Sequence, residues 1–167
     1  MTHTVETIDT PDGPFTAAAG PDGAVIASGW TASPKETLAR VREQWRPEDV
    51  RAGTVAAMDA VRAFYAGELD PVMTVPVELH GTDGQLAGWE QLRHIRPGDP
   101  LTYTEFAGVL GSPRAVRAAA SVCARNPVAL FVPCHRVLRA DGSLGGFAWG
   151  EDVKRSLLER EAAGRAR

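Results

Sequence analysis

The chain has 167 residues, 44% hydrophobic and 23% charged, with a formal net charge of −3, which allows one ordinary domain or two small ones around a real core. No apolar run approaches the ~20 residues of a membrane span, and the opening M-T-H-T-V-E-T-I-D-T has neither the basic nor the apolar region of a secretory signal. Two cysteines, Cys123 and Cys134, are too few for a disulfide framework or a cysteine-rich zinc site, and point to reduced thiols in a cytoplasmic protein.

The first thirty residues predict a small antiparallel meander. Apolar segments around Val5–Ile8, Phe15–Ala19 and Ala24–Ala27 are separated by Pro-Asp-Gly at 11–13 and 21–23, a strong turn signal. Ser33-Pro34 predicts an N-cap followed by proline at the first helical position, opening a helix to about Trp45. A second helix is expected from Thr54 to Tyr65, stopping at Gly67. The segment 71–79 contains Pro76 and predicts an extended edge strand or linker. His80-Gly-Thr-Asp-Gly84 resembles a domain junction, dividing the chain into 1–82 and 83–167.

The second half predicts mostly helix. Thr82 or Asp83 can cap a helix through Trp89 to Ile95, in which Gly84 and Gly88 each cost about 1 kcal/mol relative to alanine. Residues 96–100 are loop. A short helix over Thr102–Leu110 carries apolar Phe106, Val109 and Leu110. Gly111-Ser112 breaks it, and Ser112-Pro113 restarts a helix to about Arg125, which is the helix-turn-helix pattern. The fold class expected is α+β: a small N-terminal α/β domain with an antiparallel sheet, then a mostly helical C-terminal domain.

Charge is unevenly placed: residues 1–83 hold 6 basic and 13 acidic residues, and residues 84–167 hold 12 and 8. No acid lies between Phe106 and Ala140, whereas Arg114, Arg117, Arg125, Arg136 and Arg139 do. This stretch reads either as a solvated basic face or as a patch for an anionic partner, most often nucleic acid. Alanines at 115, 118, 119, 120 and 124 would allow that helix to approach a DNA groove closely.

Chemistry concentrates at Val128–Val132, an apolar run read as a strand, which is stopped by Pro133 and followed at once by Cys134 and His135. A thiol reacts as thiolate and needs a proton acceptor, usually histidine. Adjacent residues on a strand face opposite ways, so the pair cooperates only if Pro133 has already turned the chain. The histidine needs an orienting carboxylate, for which Glu151, Asp152, Glu159 and Glu161 are candidates. The plainer alternative is a buried inert cysteine beside a surface histidine.

The segment N-P-V-A-L-F-V-P-C-H-R-V resembles the active-site signature of the O6-alkylguanine-DNA alkyltransferases, the methylated-DNA–protein-cysteine methyltransferases. The resemblance continues in T-Y-T-E-F-A, G-S-P-R-A-V-R-A-A-A-S, D-G-S-L-G-G-F-A-W-G and K-R-S-L-L-E-R-E, covers about 100–163, and is near in wording to the methyltransferase domain of the bacterial adaptive-response regulator. It implies DNA repair by direct reversal. Cys134 would irreversibly accept the alkyl group of O6-alkylguanine, and of O4-methylthymine, once per molecule. It also implies His135 as base through a water, Glu161 as its orienting carboxylate, Asn126 as a brace for the active-site turn, and Tyr103 as proton donor to the leaving guanine. Arg117 would enter the base stack, with further DNA contacts from Arg114, Ala118, Arg125 and Arg136. Val137, Phe147, Ala148 and Trp149 would line the base pocket. The implied partner is double-stranded DNA carrying alkylated bases, bound by a monomer with no cofactor. The family's N-terminal domain can bind zinc through cysteines, but no cysteine precedes Cys123, so no such metal site is expected. Non-catalytic lesion-binding relatives lack the cysteine that stands here at 134. This chain departs from the usual pattern at Gly84, Gly88, Phe147 (usually tyrosine), Ala148 and Trp149.

Overall fold

The two Pro-Asp-Gly triplets shape the start of the chain. In the computed structural model, which describes residues 1–165, β1 (His3–Thr10), β2 (Gly13–Ala19) and β3 (Val25–Gly29) are antiparallel neighbours. The β1–β2 pairing closes at Thr10↔Gly13, with Gly13 at φ +98°, a conformation glycine adopts without steric cost. β4 (Val50–Ala52) adds to β1 in parallel, giving the order β3-β2-β1-β4. Alternation sends Phe15 to one face, edge-on to Trp30 at 5.0 Å and to Phe131 at 6.2 Å. The other face buries Val5, Ala18 and Ala27 with Val41, and Leu38 packs against them.

Three expectations for this region are corrected. The helix opened by Ser33, whose hydroxyl accepts from Glu36 N, is only α1 (Pro34–Leu38), followed by a separate 3₁₀ turn at Glu43–Trp45. The carbonyls of Ala39 and Val41 are instead taken by the Arg46 guanidinium, at 3.1 and 2.7 Å. The next helix, α2, covers Met58–Tyr65: the preceding residues form a turn (Met58 N to Val55 O, 3.0 Å), while Val55 N donates to Glu6 Oε1. The stop at Gly67 occurs as expected, with Gly67 at φ +98°. The segment 71–79 is extended only in part. Pro71–Thr74 is a helical turn, α3, with Thr74 Oγ1 donating to the Pro71 carbonyl; beyond it, Val77 bridges Val25 in parallel.

By contact pattern the chain divides into two units: 1–80 with 127–131, and 81–126 with the residues from 132 onward. The run 128–132, expected as a strand, folds into a turn at Leu130–Phe131 with only isolated bridges around it, among them the parallel pair Ser28↔Val128. Ser28 N donates to Pro127 O at 3.0 Å and Ser28 Oγ to Ala129 O at 2.8 Å. Leu130 then adopts φ +76°, the one non-glycine residue with positive φ among those described. That conformation costs about 1–2 kcal/mol and reverses the chain, so no strand can continue.

In the second unit, α4 (Asp83–Leu92) begins with a full capping box between Thr82 and Gln85, and α5 (Tyr103–Val109) with another between Thr102 and Glu105. α4 stops at Leu92 rather than Ile95, whose N–H returns to the Leu92 carbonyl in a turn. Phe106 is buried, but Val109 is 51% exposed. α6 covers Val116–Ala124, three residues later than Ser112-Pro113 suggests. Ser112 instead organises a turn, with its side chain accepting from Arg114 N and its carbonyl from Ala115 N. A two-residue parallel pair, β5 (Leu101–Thr102) with β6 (Val137–Leu138), has no counterpart in the sequence reading. α7 spans Glu151–Arg165. A small antiparallel-rich sheet with short helices, then a mostly helical second unit, is the expected fold class.

Gly88 is explained by packing. α4 lies so close to α6 that a Cβ on Gly88 would stand 2.7 Å from both methyls of Val122, and the neighbouring Trp89 donates its indole N–H to the Val122 carbonyl at 2.9 Å. A Cβ on Gly84 meets nothing within 4 Å. Gly88→Ala is therefore expected to lower unfolding free energy by about 1–3 kcal/mol through overpacking, although alanine is the better helix former. Gly84→Ala should raise it by up to about 1 kcal/mol. Urea denaturation of the two variants checks the opposite signs.

Candidate functional site

Cys134, His135 and Arg136 form one 3₁₀ turn, with Pro133 as its N-cap at ψ +65°. Cys134 N donates to Val132 O at 2.9 Å and Arg136 N to Pro133 O at 3.0 Å. The proline has thus ended extended backbone before the thiol. In a 3₁₀ turn successive side chains fan out by about a third of a turn rather than opposing each other. Asn126, 3% exposed, donates its side-chain N–H to the Val132 carbonyl at 2.7 Å, tying the end of α6 to the entrance of the turn.

The core of the site is a buried trio on the turn and α7. His135, Arg136 and Glu161 are each 0% exposed. His135 Nε2 lies 2.9 Å from Glu161 Oε2; Arg136 donates from Nε to Oε1 at 3.0 Å and from its terminal nitrogen to Oε2 at 2.7 Å, and its other terminal nitrogen reaches the Ile95 carbonyl at 2.7 Å. Burial alone would raise the Glu161 carboxyl, but the Arg136 guanidinium and the hydrogen bonds from His135 and Arg136 outweigh it and hold it well below the ordinary carboxylate value. Burial pushes His135 below its ordinary value, against the opposing pull of Glu161. The consistent state is a carboxylate, a guanidinium and a neutral imidazole. The carboxylate only accepts, so Nε2 carries the imidazole proton. Nδ1 is left with its lone pair, buried and without a hydrogen-bond partner in the protein, a group able to accept one proton.

Tyr103 stands at the first position of α5, immediately after β5, whose pairing with β6 sets Thr102 beside Leu138. Burial, then the charges of Cys123 and Cys134, push its phenol up to about 12, with Arg139 opposing. At neutral pH it holds its proton and can donate it. Gly145, at φ +73°, brings the following loop against it, placing an added Cβ 3.4–3.5 Å from the tyrosine ring and hydroxyl. Of the other pocket candidates on this side, Val137 is buried, Phe147 and Trp149 are half-buried, and Ala148 is exposed.

Among the expected DNA contacts, Arg114, Arg117, Ala118 and Arg125 are exposed, and Ala119, Val122 and Cys123 form the buried side of α6. Arg136 requires correction: it is fully buried and its guanidinium is spent on Glu161 and Ile95, so it is a strut of the active-site turn rather than a phosphate contact. Of the four candidate carboxylates only Glu161 meets the histidine. Glu151 and Asp152 are exposed and pair with Arg155, and Glu159 is exposed.

A model of the 6-O-methylguanine DNA methyltransferase DNA-binding domain matches residues 83–163. The methylated-DNA–protein-cysteine methyltransferase of Mycobacterium tuberculosis (strain ATCC 25618 / H37Rv) is 38% identical over 155 residues, which is 93% of this chain and 90% of that protein. The chain belongs to the methylated-DNA–protein-cysteine methyltransferase family. Its match to the bifunctional transcriptional activator/DNA repair enzyme Ada of Escherichia coli (strain K12) is 46% identical over 93 residues, and spans 56% of this chain but only 26% of Ada. Among solved structures, Mycobacterium tuberculosis OGT in complex with DNA has a TM-score of 0.78 at 34% identity, covering 98% of this chain and 94% of that one.

Two members of this family site went unread in the sequence. Lys154 is 1% exposed and donates to the Val137 carbonyl at 2.8 Å and the Gly146 carbonyl at 3.4 Å. Cys123 is 9% exposed, and burial pushes its thiol far above the ordinary range. The signal for Lys154 was available: Lys154, Leu157 and Glu161 sit at i, i+3 and i+7, one face of a helix. All three are buried.

Removing the Glu161 charge leaves Arg136 buried and unpaired, so Glu161→Gln is expected to cost about 3–5 kcal/mol of stability at pH 7. The pH dependence follows from the depressed carboxyl. Its contribution is present above the unfolded value of about 4.3 and is lost as pH falls from there towards about 2. Urea midpoints measured from pH 7 to pH 2 should fall across that window in the wild type and more shallowly in the variant.

Proposed function

We propose that the protein repairs DNA by direct reversal, moving the alkyl group of O6-alkylguanine, and of O4-methylthymine, irreversibly onto the sulfur of Cys134. The observation that carries this reading is the turn that places Cys134 beside a neutral, carboxylate-anchored His135, within a family whose named members are methylated-DNA–protein-cysteine methyltransferases. The target atom is out of reach inside a duplex, so the nucleotide must be flipped out, at a cost of a few kcal/mol. The exposed α6 face with Arg117 and Ala118, flanked by Arg114 and Arg125, suits the backbone and minor groove of a duplex, and Arg117 fills the vacated stack.

The thiol gives its proton through a water to Nδ1 of His135. The thiolate then attacks the methyl carbon in line; the S–C bond forms as the C–O bond breaks, and the electron pair stays on guanine. Tyr103 supplies the proton that makes the departing base neutral. Val137, Phe147, Ala148 and Trp149 line the pocket for the flipped base, and Asn126 holds the turn in place. Thioether formation leaves no group that water can clear, so each molecule acts once. No helix among the described residues is long and apolar enough to cross a membrane; both cysteines are free thiols, which suits action in the cytoplasm.

Incubation with a duplex carrying radiolabelled O6-methylguanine should transfer the label stoichiometrically to the peptide containing Cys134. Cys134→Ser should abolish transfer while duplex binding persists. Release of label with more than one turnover per protein rejects the reading. Arg117→Ala should slow repair in duplex DNA by at least tenfold while leaving reaction with the free base within about twofold, since only a duplex has a gap to fill; equal losses on both substrates remove that role from Arg117.

A further inference from the structure

The outward side of α6 between Arg117 and Arg125 is almost without hydrogen-bonding groups. Ala119, Val122 and Cys123 turn inward. Ala118, Ala120, Ser121 and Ala124 are exposed, as are the two arginines. An alanine side chain neither donates nor accepts, and the Ser121 carbonyl already receives the Arg125 N–H at 3.0 Å. A serine within a helix can turn its hydroxyl back onto the carbonyl four residues earlier, but among the described residues the Ser121 side chain has no hydrogen-bond partner. It is the one side chain in this interval able to accept a hydrogen bond, because a guanidinium only donates. Ser121 also follows Arg117 by one turn of the helix, where side chains stand about 5–6 Å apart.

We propose that Ser121 is a specificity-determining residue of the repair reaction: its hydroxyl recognises the 2-amino group of guanine in a G·C pair beside the lesion. The inference rests on the proposed repair function, with the exposed face of α6 in the minor groove. In that groove A·T and T·A pairs show acceptors only, whereas a G·C pair adds one donor, the guanine 2-amino group. Arg117 and Arg125 can bind phosphates or acceptor edges but have nothing to offer an amino donor. The Ser121 hydroxyl accepts from the amino group and keeps its own proton for a neighbouring acceptor edge. At a G·C pair it uses both capacities, and at an A·T pair only one. The groove is about 6 Å wide, and a serine adds little bulk to the alanines around it. With Arg117 in the vacated stack, a hydroxyl about 6 Å away lies less than two base steps of about 3.4 Å from the gap. The pairs it meets are those flanking the damaged base. One hydrogen bond more at those pairs corresponds to a preference of about threefold to tenfold.

The test varies the amino group alone. Four duplexes carry one O6-methylguanine opposite cytosine and differ in the pairs on either side of it: G·C, inosine·C, A·T and diaminopurine·T. Inosine is guanine without the 2-amino group and diaminopurine is adenine with it, so the major-groove edge is unchanged within each couple. The amino group also strengthens the base pair, so wild type and Ser121→Ala are compared on the same duplexes, where that cost is shared. Alanine is the better helix former and keeps α6 intact. Binding is measured by fluorescence anisotropy, and repair by the second-order rate of label transfer to Cys134. The ratio of wild-type to variant affinity should be about threefold to tenfold higher on the amino-bearing member of each couple, and the ratio of repair rates should move the same way. A ratio that is the same on all four duplexes overturns the proposal, whether both proteins sense the amino group or neither does. So does a ratio that is higher on inosine or adenine. If the affinities follow the amino group and no label reaches Cys134, the repair function fails and Ser121 stands as a minor-groove contact. If label transfers with equal ratios throughout, repair stands and the role of Ser121 falls.

Discussion

Everything in the second unit that could perform chemistry is referred to one buried carboxylate. Glu161 sits on α7, with no exposed surface, and it is stable as an anion only because Arg136 and His135 approach it from the turn that follows Pro133. A carboxylate in that position without those donors would protonate or draw the helix away. With them, it fixes three things together: the distance between α7 and the turn, the tautomer of His135, and the direction in which the remaining imidazole lone pair points. The thiol is neighbour to all of this without touching the carboxylate, so its surroundings are set by a salt bridge that solvent does not reach.

Burial does different work on each ionisable group nearby. It lifts the Tyr103 phenol and the Cys123 thiol into their neutral forms and lowers His135 into its own neutral form, while the paired Glu161 stays charged. One apolar environment thereby sorts its members into proton donors, proton acceptors and fixed charges.

Much of this was legible in the sequence, for reasons that differ by element. The Pro-Asp-Gly turns act through local chemistry that neighbouring residues cannot override, and they appear where expected; the helix start that Thr82 or Asp83 could cap is capped by Thr82. Cys134, His135, Glu161, Asn126 and Tyr103 could be named because their surrounding words match a family; spacing alone left four carboxylates open. Other features depended on long-range contacts. The helix begun at Ser33 ends early because Arg46 captures its carbonyls, and 128–132 folds into a turn at Leu130–Phe131 because Leu130 takes a left-handed conformation no periodicity announces. Arg136 reads as one more arginine in an acid-free stretch, yet its role is decided by a carboxylate 25 residues away in sequence. Gly88 looks like a defect in a helix until Val122 is seen beside it.

The route of the backbone through the two units decides where the chain can be cut. The chain leaves the first unit after residue 80, returns to it for 127–131, and leaves again. No single break therefore yields either unit whole. A fragment starting near residue 81 would carry Val128, Leu130 and Phe131, each fully buried in the intact protein, without the strand edge and aromatic partner they rest on. The result would be an apolar loop prone to aggregate. A cut at the apparent junction would therefore part the first unit from the segment 127–131 that completes it.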